Sequence, residues 1–197
     1  MKTNRVEAFS DGVLAIIITI MVLELKVPLG TKWEVLKELV PVVLTYLFSF
    51  IYIGIYWNNH HHLMYAVEKI NGNILWANLH LLFWLSLLPF ATGWMGENHF
   101  ETNPVAFYGF ILLMSAVSWR LLVLAIIAYE GKNSKLKLAF KKDHKGKWSI
   151  LLYLIGVATA FFYTPASLAL YILVAIIWFI PDTRIEKALE NRILNPE

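Results

Sequence analysis

The sequence predicts an all-α integral membrane protein with six transmembrane helices. Of its 197 residues, 58% are hydrophobic and only 16% are charged, and the mean hydropathy is +0.59. Soluble domains carry about a quarter charged residues, so this chain has too few charges for a fully solvated surface. Its apolar residues fall in blocks long enough to span a hydrocarbon core about 30 Å thick. Many of the eight Trp and nine Tyr residues lie near the ends of these blocks, as they do at membrane interfaces.

Turn residues separate the apolar blocks. Pro28 and Gly30 end the first helix, Asn103–Pro104 opens the fourth, and Thr164–Pro165 predicts a tight hairpin between the last two. We expect one transmembrane domain over residues 1–181, followed by a cytoplasmic amphipathic tail over residues 182–197. The predicted helices are about 6–27, 36–57, 74–94, 105–129, 148–163 and 166–180.

Basic residues predict the orientation. With six crossings, 13 of the 17 Lys and Arg residues lie on the side of the N-terminus, three lie on the opposite side, and Arg120 lies within the fourth helix. The positive-inside rule then predicts a multi-pass protein of the cell membrane with both termini in the cytoplasm. The lysine-rich segment 132–147 is expected to contact anionic lipids. The net charge of +3 is therefore explained without nucleic-acid binding.

The first predicted helix has two different faces. At 100° per residue, Ile16, Thr19, Ile20 and Leu23 form one stripe, which is apolar except for the Thr19 hydroxyl. Ser10 and Asp11 lie on the opposite side, and a carboxylate at membrane depth usually faces a protein interior or a watery path. Asp11 also argues against a cleaved signal peptide at the N-terminus. The periodicity alone leaves two interpretations of the stripe open, helix packing and the lining of a pore.

Other polar groups are candidate partners for Asp11. They include Arg120, which could pair with Asp11 or extend its guanidinium to the interface. Three consecutive histidines, His60 to His62, point about 100° apart on a helix, so they cannot converge on one metal ion. The chain has no Cys, and it lacks a catalytic motif, so neither an enzyme nor a resident metal or cofactor is expected. The remaining polar candidates are Asn58, Asn59, Asn78 and His80.

Several motifs resemble one known family. The first is Arg5-x-x-x-Phe9-Ser10-Asp11-Gly12-Val13-x-Ala15-Ile16-x-x-Thr19, and the others are Val22-Leu23-Glu24, Trp57-x-Asn59-His60-His61, Asn78 and Leu88-Pro89-Phe90. Together they resemble the first three helices of the transmembrane protein 175 potassium channel family, in its prokaryotic single-repeat form.

The resemblance implies a homotetramer in which the first helix of each subunit lines a central pore. It places the constriction, or hydrophobic gate, at Ile16, Ile20 and Leu23, with Thr19 in an adjacent hydroxyl layer. It also implies a structural network. The expected members of that network are Arg5, Phe9, Ser10, Asp11, Trp57, His60 and Asn78.

The implied activity is passive potassium-selective conduction in a lipid bilayer, with other monovalent cations passing less readily. The chain has no Thr-Val-Gly-Tyr-Gly segment, so selectivity would come from partial dehydration at the apolar rings rather than from a carbonyl filter. The alternative is a proton-coupled secondary transporter that uses intramembrane carboxylates and histidines. No broken-helix inverted repeat, the usual sign of such transporters, is visible in the sequence.

Overall fold

The computed structural model describes residues 3–67, 69–131 and 144–179, and within these ranges the protein is helical without any strand. The predicted tail 182–197 and segment 132–143 of the lysine-rich loop lie outside the described residues. The α-helices are α1 Thr3–Leu23, α2 Val40–Ala66, α3 Gly72–Ser86, α4 Leu88–Glu97, α5 Thr102–Glu130, α6 His144–Ala160 and α7 Thr164–Phe179; a 3-10 helix, Trp33–Leu39, precedes α2.

The all-α prediction is confirmed for the described residues. Each of the six predicted segments contains one or two of these helices, although α1 ends at Leu23, four residues before the predicted end at position 27. Four helical segments in this part of the chain are long and apolar enough to cross a membrane, and they are 3–23, 33–66, 72–97 and 102–130. The last helix, α7, is apolar but shorter. Since α6 and α7 rise about 25 Å each at 1.5 Å per residue, they are close to the thickness of a hydrocarbon core.

The third predicted helix is divided in the structure, which corrects the single helix expected over 74–94. The division lies at Leu87, between α3 and α4. Pro89 occupies the first turn of α4, where its missing amide proton costs no hydrogen bond. The Leu87 amide donates to the Trp84 carbonyl at 3.3 Å, so the chain tightens there instead of continuing the α-helical pattern.

The second helix extends nine residues beyond its predicted end. The polar run after Trp57 stays helical to Ala66, because several of its side chains are buried against neighbouring helices rather than exposed at an interface. Asn59 and His60 are 3% and 1% exposed. Helix α1 packs against α2, α3 and α4, while α5 packs against α3 and α6, and α6 packs against α7.

Tyrosines fix the second half of the bundle. The Tyr171 ring lies over Gly109 and Gly156, where a Cβ would overlap it. The Tyr52 hydroxyl donates to the Tyr171 carbonyl at 2.5 Å and accepts from the Tyr153 hydroxyl at 3.0 Å. These hydrogen bonds pair the buried tyrosine hydroxyls and the Tyr171 carbonyl with protein partners, since a hydrocarbon core offers no water to bond with them.

Candidate functional site

Helix α1 buries one face against the rest of the chain and leaves the other face uncovered. The buried residues recur at helical spacing, and they are Val6, Ser10, Leu14, Ile17 and Met21. On the other side the exposed fractions are 60% for Ile16, 42% for Ile20 and 76% for Leu23. Thr19 is exposed with them. The four predicted pore positions therefore form a continuous uncovered stripe on one chain.

The Thr19 hydroxyl has a defined direction within this stripe. It donates its proton to the Ala15 carbonyl at 2.9 Å, one turn earlier in α1. Its oxygen therefore keeps its lone pairs for an external partner, and that partner must be a hydrogen-bond donor or a cation. The arrangement offers a weak oxygen ligand in an otherwise apolar surface.

Three residues of the predicted network are joined by hydrogen bonds. The His60 Nε2 lies 2.8 Å from Asn78 Oδ1, and Asn78 Nδ2 donates to Ser10 Oγ at 2.9 Å. Ser10 donates in turn to the Val6 carbonyl at 2.8 Å. Because Asn78 Oδ1 can only accept, His60 must carry a proton on Nε2. This chain ties α1 to α2 through α3.

Other predicted members lie outside this hydrogen-bonded chain. Arg5 is exposed, as are Phe9 and Trp57, at 54% and 48%. Trp57 stacks on His61 with their ring centroids 6.4 Å apart. The Asp11 Oδ1 atom is buried without a hydrogen-bond partner among the described residues, and so is His60 Nδ1.

The structure does not join Asp11 to Arg120. No ion pair links them among the described residues, and Arg120 is half-buried. Of the two interpretations left open by the sequence, direct pairing is therefore not observed.

Two further contacts brace the start of α1 and were not predicted. His61 Nδ1 lies 2.7 Å from Glu7 Oε1, and the Thr3 hydroxyl donates to the Val67 carbonyl at 3.3 Å. Glu7 precedes Asp11 by one helical turn and therefore lies on the same side of α1, and this spacing was the signal in the sequence that Glu7 faces the rest of the protein. Both contacts link α1 directly to the end of α2, the pair of helices that the chain from Ser10 through Asn78 to His60 joins by way of α3.

Comparison with known proteins identifies the family. Residues 5–89 match the family described as endosomal/lysosomal potassium channel TMEM175. A protein named potassium channel in Chryseobacterium sp. is 60% identical over 191 residues, which make up 97% of this chain and 100% of that protein. This chain belongs to the TMEM175 family.

Other TMEM175 relatives are similar at lower identity. A protein named potassium channel in Streptomyces collinus is 33% identical, over 61% of this chain and 63% of its own. The crystal structure of a lysosomal potassium-selective channel TMEM175 homolog from Chamaesiphon minutus superimposes with a TM-score of 0.76 at 28% identity, covering 89% of this chain and 95% of that chain. The endosomal/lysosomal proton channel TMEM175 of Danio rerio is 25% identical over 91% of this chain, which spans 36% of that protein.

In this TMEM175 chain, the far end of α1 is held by α4. Lys26 Nζ lies 2.6 Å from Glu97 Oε1 in an exposed ion pair, and this partner raises the pKa of Lys26 above its ordinary value. Glu24, immediately after Leu23, lies beside Gly93 of α4, where a Cβ would be in ordinary van der Waals contact with Glu24 Oε2 at 3.5 Å. Contacts within the chain thus hold α1 at both ends of the uncovered stripe.

The same TMEM175 chain offers no cluster of metal ligands in its described ranges. No group of three His, Cys, Asp or Glu side chains there could hold a metal ion. His60 is directed into the bundle, whereas His61 has a side chain 47% exposed. Among the described residues, the candidate site is therefore the α1 stripe together with the hydrogen-bonded chain behind it.

Proposed function

We propose that this protein is a potassium-selective channel in which α1 of four identical subunits lines a central pore. The observation that carries the proposal is the uncovered stripe of Ile16, Thr19, Ile20 and Leu23 on a helix whose opposite face is anchored in its own subunit. The family includes relatives named potassium channels, and this supports K⁺ as the permeant ion. If four subunits assemble around a central axis, this exposed stripe faces the neighbouring subunits and the water of the pore.

The proposal includes six membrane crossings for each subunit. They are α1, α2, the divided pair α3 and α4, α5, α6 and α7. Both termini then lie in the cytoplasm of the cell, as the distribution of basic residues favours. The permeant ion is K⁺, with other monovalent cations passing less readily, and no bound cofactor is required.

The pore would discriminate ions through the cost of dehydration. Ile16, Ile20 and Leu23 lie about 6 and 4.5 Å apart along the axis at 1.5 Å per residue, so the same positions from four subunits form three stacked apolar rings. An ion that passes must shed part of its hydration shell with little compensation from these side chains. The larger K⁺ holds its water less tightly than Na⁺, and the Thr19 oxygens offer a weak replacement.

The same rings also supply a gate. A narrow ring of branched apolar side chains excludes water when it contracts, and without water an ion cannot cross. The chain from Ser10 through Asn78 to His60 would hold α1 at the angle that sets the ring diameter. In this mechanism Asp11 and Ser10 position the helix, and the apolar residues act on the ion.

Electrical recording on purified protein tests the proposal. In planar bilayers with K⁺ on one side and Na⁺ on the other, we expect an ohmic current whose reversal potential favours K⁺. Absence of a cation current, or equal permeability to the two ions, would contradict the proposal. Saturating flux coupled to protons would indicate the transporter alternative instead.

A matched pair of variants then tests the role of the stripe. Ile16→Thr adds hydroxyls to a proposed ring and should raise Na⁺ permeability relative to K⁺. Ile172→Thr makes the same change at a 47% exposed position on α7, so selectivity should not change. If both variants retain the original reversal potential, Ile16 does not line the pore.

A further inference from the structure

Helix α1 makes one contact whose strength depends on a titratable side chain. His61 Nδ1 of α2 lies 2.7 Å from Glu7 Oε1 of α1. An ionised carboxylate only accepts hydrogen bonds, so Nδ1 carries a proton and donates it to Glu7. The second ring nitrogen, Nε2, decides the charge of the ring, and imidazoles gain or lose that proton between about pH 5 and 8. The contact is therefore a neutral hydrogen bond in alkaline solution and an ion pair in acidic solution.

Two aromatic rings fix the orientation of the His61 ring. Trp57 and Tyr65 lie one turn before and one turn after it on α2, and both stack on it, with 6.4 and 6.5 Å between ring centroids and interplanar angles of 26° and 29°. Aromatic faces carry negative potential and attract cations. Protonation of His61 thus strengthens its contacts with Glu7 and with both rings.

Other titratable side chains lie on the elements that meet at this contact. On α1, α2, the segment after α2, and α3 they are Arg5, Asp11, His60, His62, Lys69 and His80. Arg5 lies on the stripe side of α1, away from Glu7. The His62 ring is edge-on to the His61 ring at 5.7 Å between centroids, and two charged rings there would repel each other. Among the described residues, Glu7 is the one carboxylate that forms an ion pair with His61, so titration of His61 acts on α1 through Glu7.

The contact lies near one end of both helices. Helix α2 has 27 residues and rises about 40 Å at 1.5 Å per residue, which exceeds the thickness of a hydrocarbon core by about 10 Å. His61 lies in the last two turns of α2, and its side chain is 47% exposed. Glu7 lies in the second turn of α1, with its side chain 20% exposed. Protons of the adjoining solution therefore reach the His61 ring.

The contact acts on the face of α1 opposite the stripe. At 100° per residue, Glu7 lies about 180° from Ile16. Attraction of Glu7 towards α2 therefore draws the start of α1 away from the axis of the proposed tetramer. Contraction of the apolar rings requires the opposite movement, in which α1 leaves α2. Protonation of His61 thus stabilises the position of α1 in which the rings are wide.

We propose that the pair of Glu7 and His61 is a pH-sensitive positioning contact, which holds α1 in its conducting position when His61 is protonated. The proposal rests on the proposed function, because it takes the α1 stripe as the lining of the pore. A partly exposed ion pair changes an equilibrium constant by about 1.5- to fivefold. Lowering the pH from 8 to 6 should therefore raise the potassium current by about two- to fivefold.

Potassium current through the purified protein in planar bilayers, with the same pH on both sides, tests the proposal. Glu7→Gln keeps a hydrogen-bond acceptor but removes the charge, and His61→Gln removes the titratable group. Both variants should conduct at pH 8 and lose the increase at pH 6. His99→Gln changes an exposed histidine between α4 and α5 and should retain the increase. The proposal is overturned if the wild type shows no increase, or if the increase keeps its full size in Glu7→Gln or His61→Gln.

Thermal unfolding distinguishes failure of this proposal from failure of the channel assignment. A double-mutant cycle of Glu7→Gln and His61→Gln measures the coupling of the two side chains without any current. At pH 6 the coupling should amount to about 1–3 °C in the unfolding midpoint, and at pH 8 it should be smaller. The expected coupling without potassium current at either pH would contradict the channel assignment and support the pH-sensitive contact. Equal coupling at the two pH values would overturn the contact itself.

Discussion

Asn78→Ala should destabilise the protein strongly, because it removes the centre of the chain between Ser10 and His60. Asn78 is 2% exposed and makes two side-chain hydrogen bonds, at 2.8 and 2.9 Å. Each bond contributes about 1 kcal/mol, and an orphaned buried donor costs about 1–3 kcal/mol more. His60 Nδ1 already lacks a partner among the described residues, so the variant leaves the whole ring unsatisfied. These losses overlap in part and predict about 2–4 kcal/mol in total.

The assay is thermal unfolding of purified protein in detergent, followed by loss of the native peak in size-exclusion chromatography. For a chain of this length each kcal/mol shifts the midpoint by about 2–4 °C, so we expect a decrease of about 5–15 °C. Asn73→Ala is the matched control, since Asn73 is exposed on the same helix. A Ser10→Ala and Asn78→Ala double-mutant cycle should show coupling. Equal midpoints for Asn78→Ala and Asn73→Ala would refute the argument.

Two other predictions concern packing and charge. Gly109→Ala places a methyl group on the Tyr171 hydroxyl, and such overpacking should lower the free energy of unfolding by about 1–3 kcal/mol. In the control variant Gly54→Ala, the added methyl group has no neighbour within 4 Å, so its stability should be unchanged or slightly higher. Equal unfolding midpoints for the two variants would contradict this packing. Lys26→Gln removes the exposed pair with Glu97 and should have a small effect on the unfolding midpoint that decreases with salt. Because pairing raises the pKa of Lys26, the stabilisation by this ion pair is complete at neutral pH and is lost only as pH rises above the ordinary lysine pKa of about 10.4. A difference in unfolding midpoint between wild type and variant that changes between pH 7 and 9 would contradict this assignment.

The positions of the helices followed from local features of the sequence. Long apolar blocks, Pro28 with Gly30, and Asn103–Pro104 mark where each segment starts or stops, and these signals do not depend on neighbouring helices. The break at Leu87 was one exception. Pro89 was visible in the sequence, but a proline is accommodated either as a kink within a helix or in the first turn of a new one, and the sequence alone does not distinguish the two.

The extension of α2 could not be predicted from composition. The second helix was predicted to end at Trp57 because unpaired polar side chains, such as those of the run that follows, are costly in a membrane. The structure satisfies part of that cost with Asn78 from another helix. The contact between His60 and Asn78, 18 residues apart along the chain, arises from the packing of two helices, and a hydropathy pattern does not predict it.

The two faces of α1 were accessible from the helical period alone. The period placed Ser10 opposite Ile16, and the structure buries Ser10 while it exposes Ile16. At 100° per residue Arg5 and Phe9 also lie on the side of the stripe, and both are exposed. The resemblance instead grouped them with the network, and their role there stays a prediction that a single chain does not test.

The central claim is that the α1 stripe lines the ion path, and a single cysteine tests it most directly. The chain has no Cys, so Leu23→Cys introduces the only thiol, and Phe162→Cys introduces one at an 89% exposed position in the hairpin between α6 and α7. A charged methanethiosulfonate reagent should abolish potassium current through Leu23→Cys channels and leave Phe162→Cys channels unchanged. Full modification of Leu23→Cys, verified by mass, with an unaltered current would contradict the account.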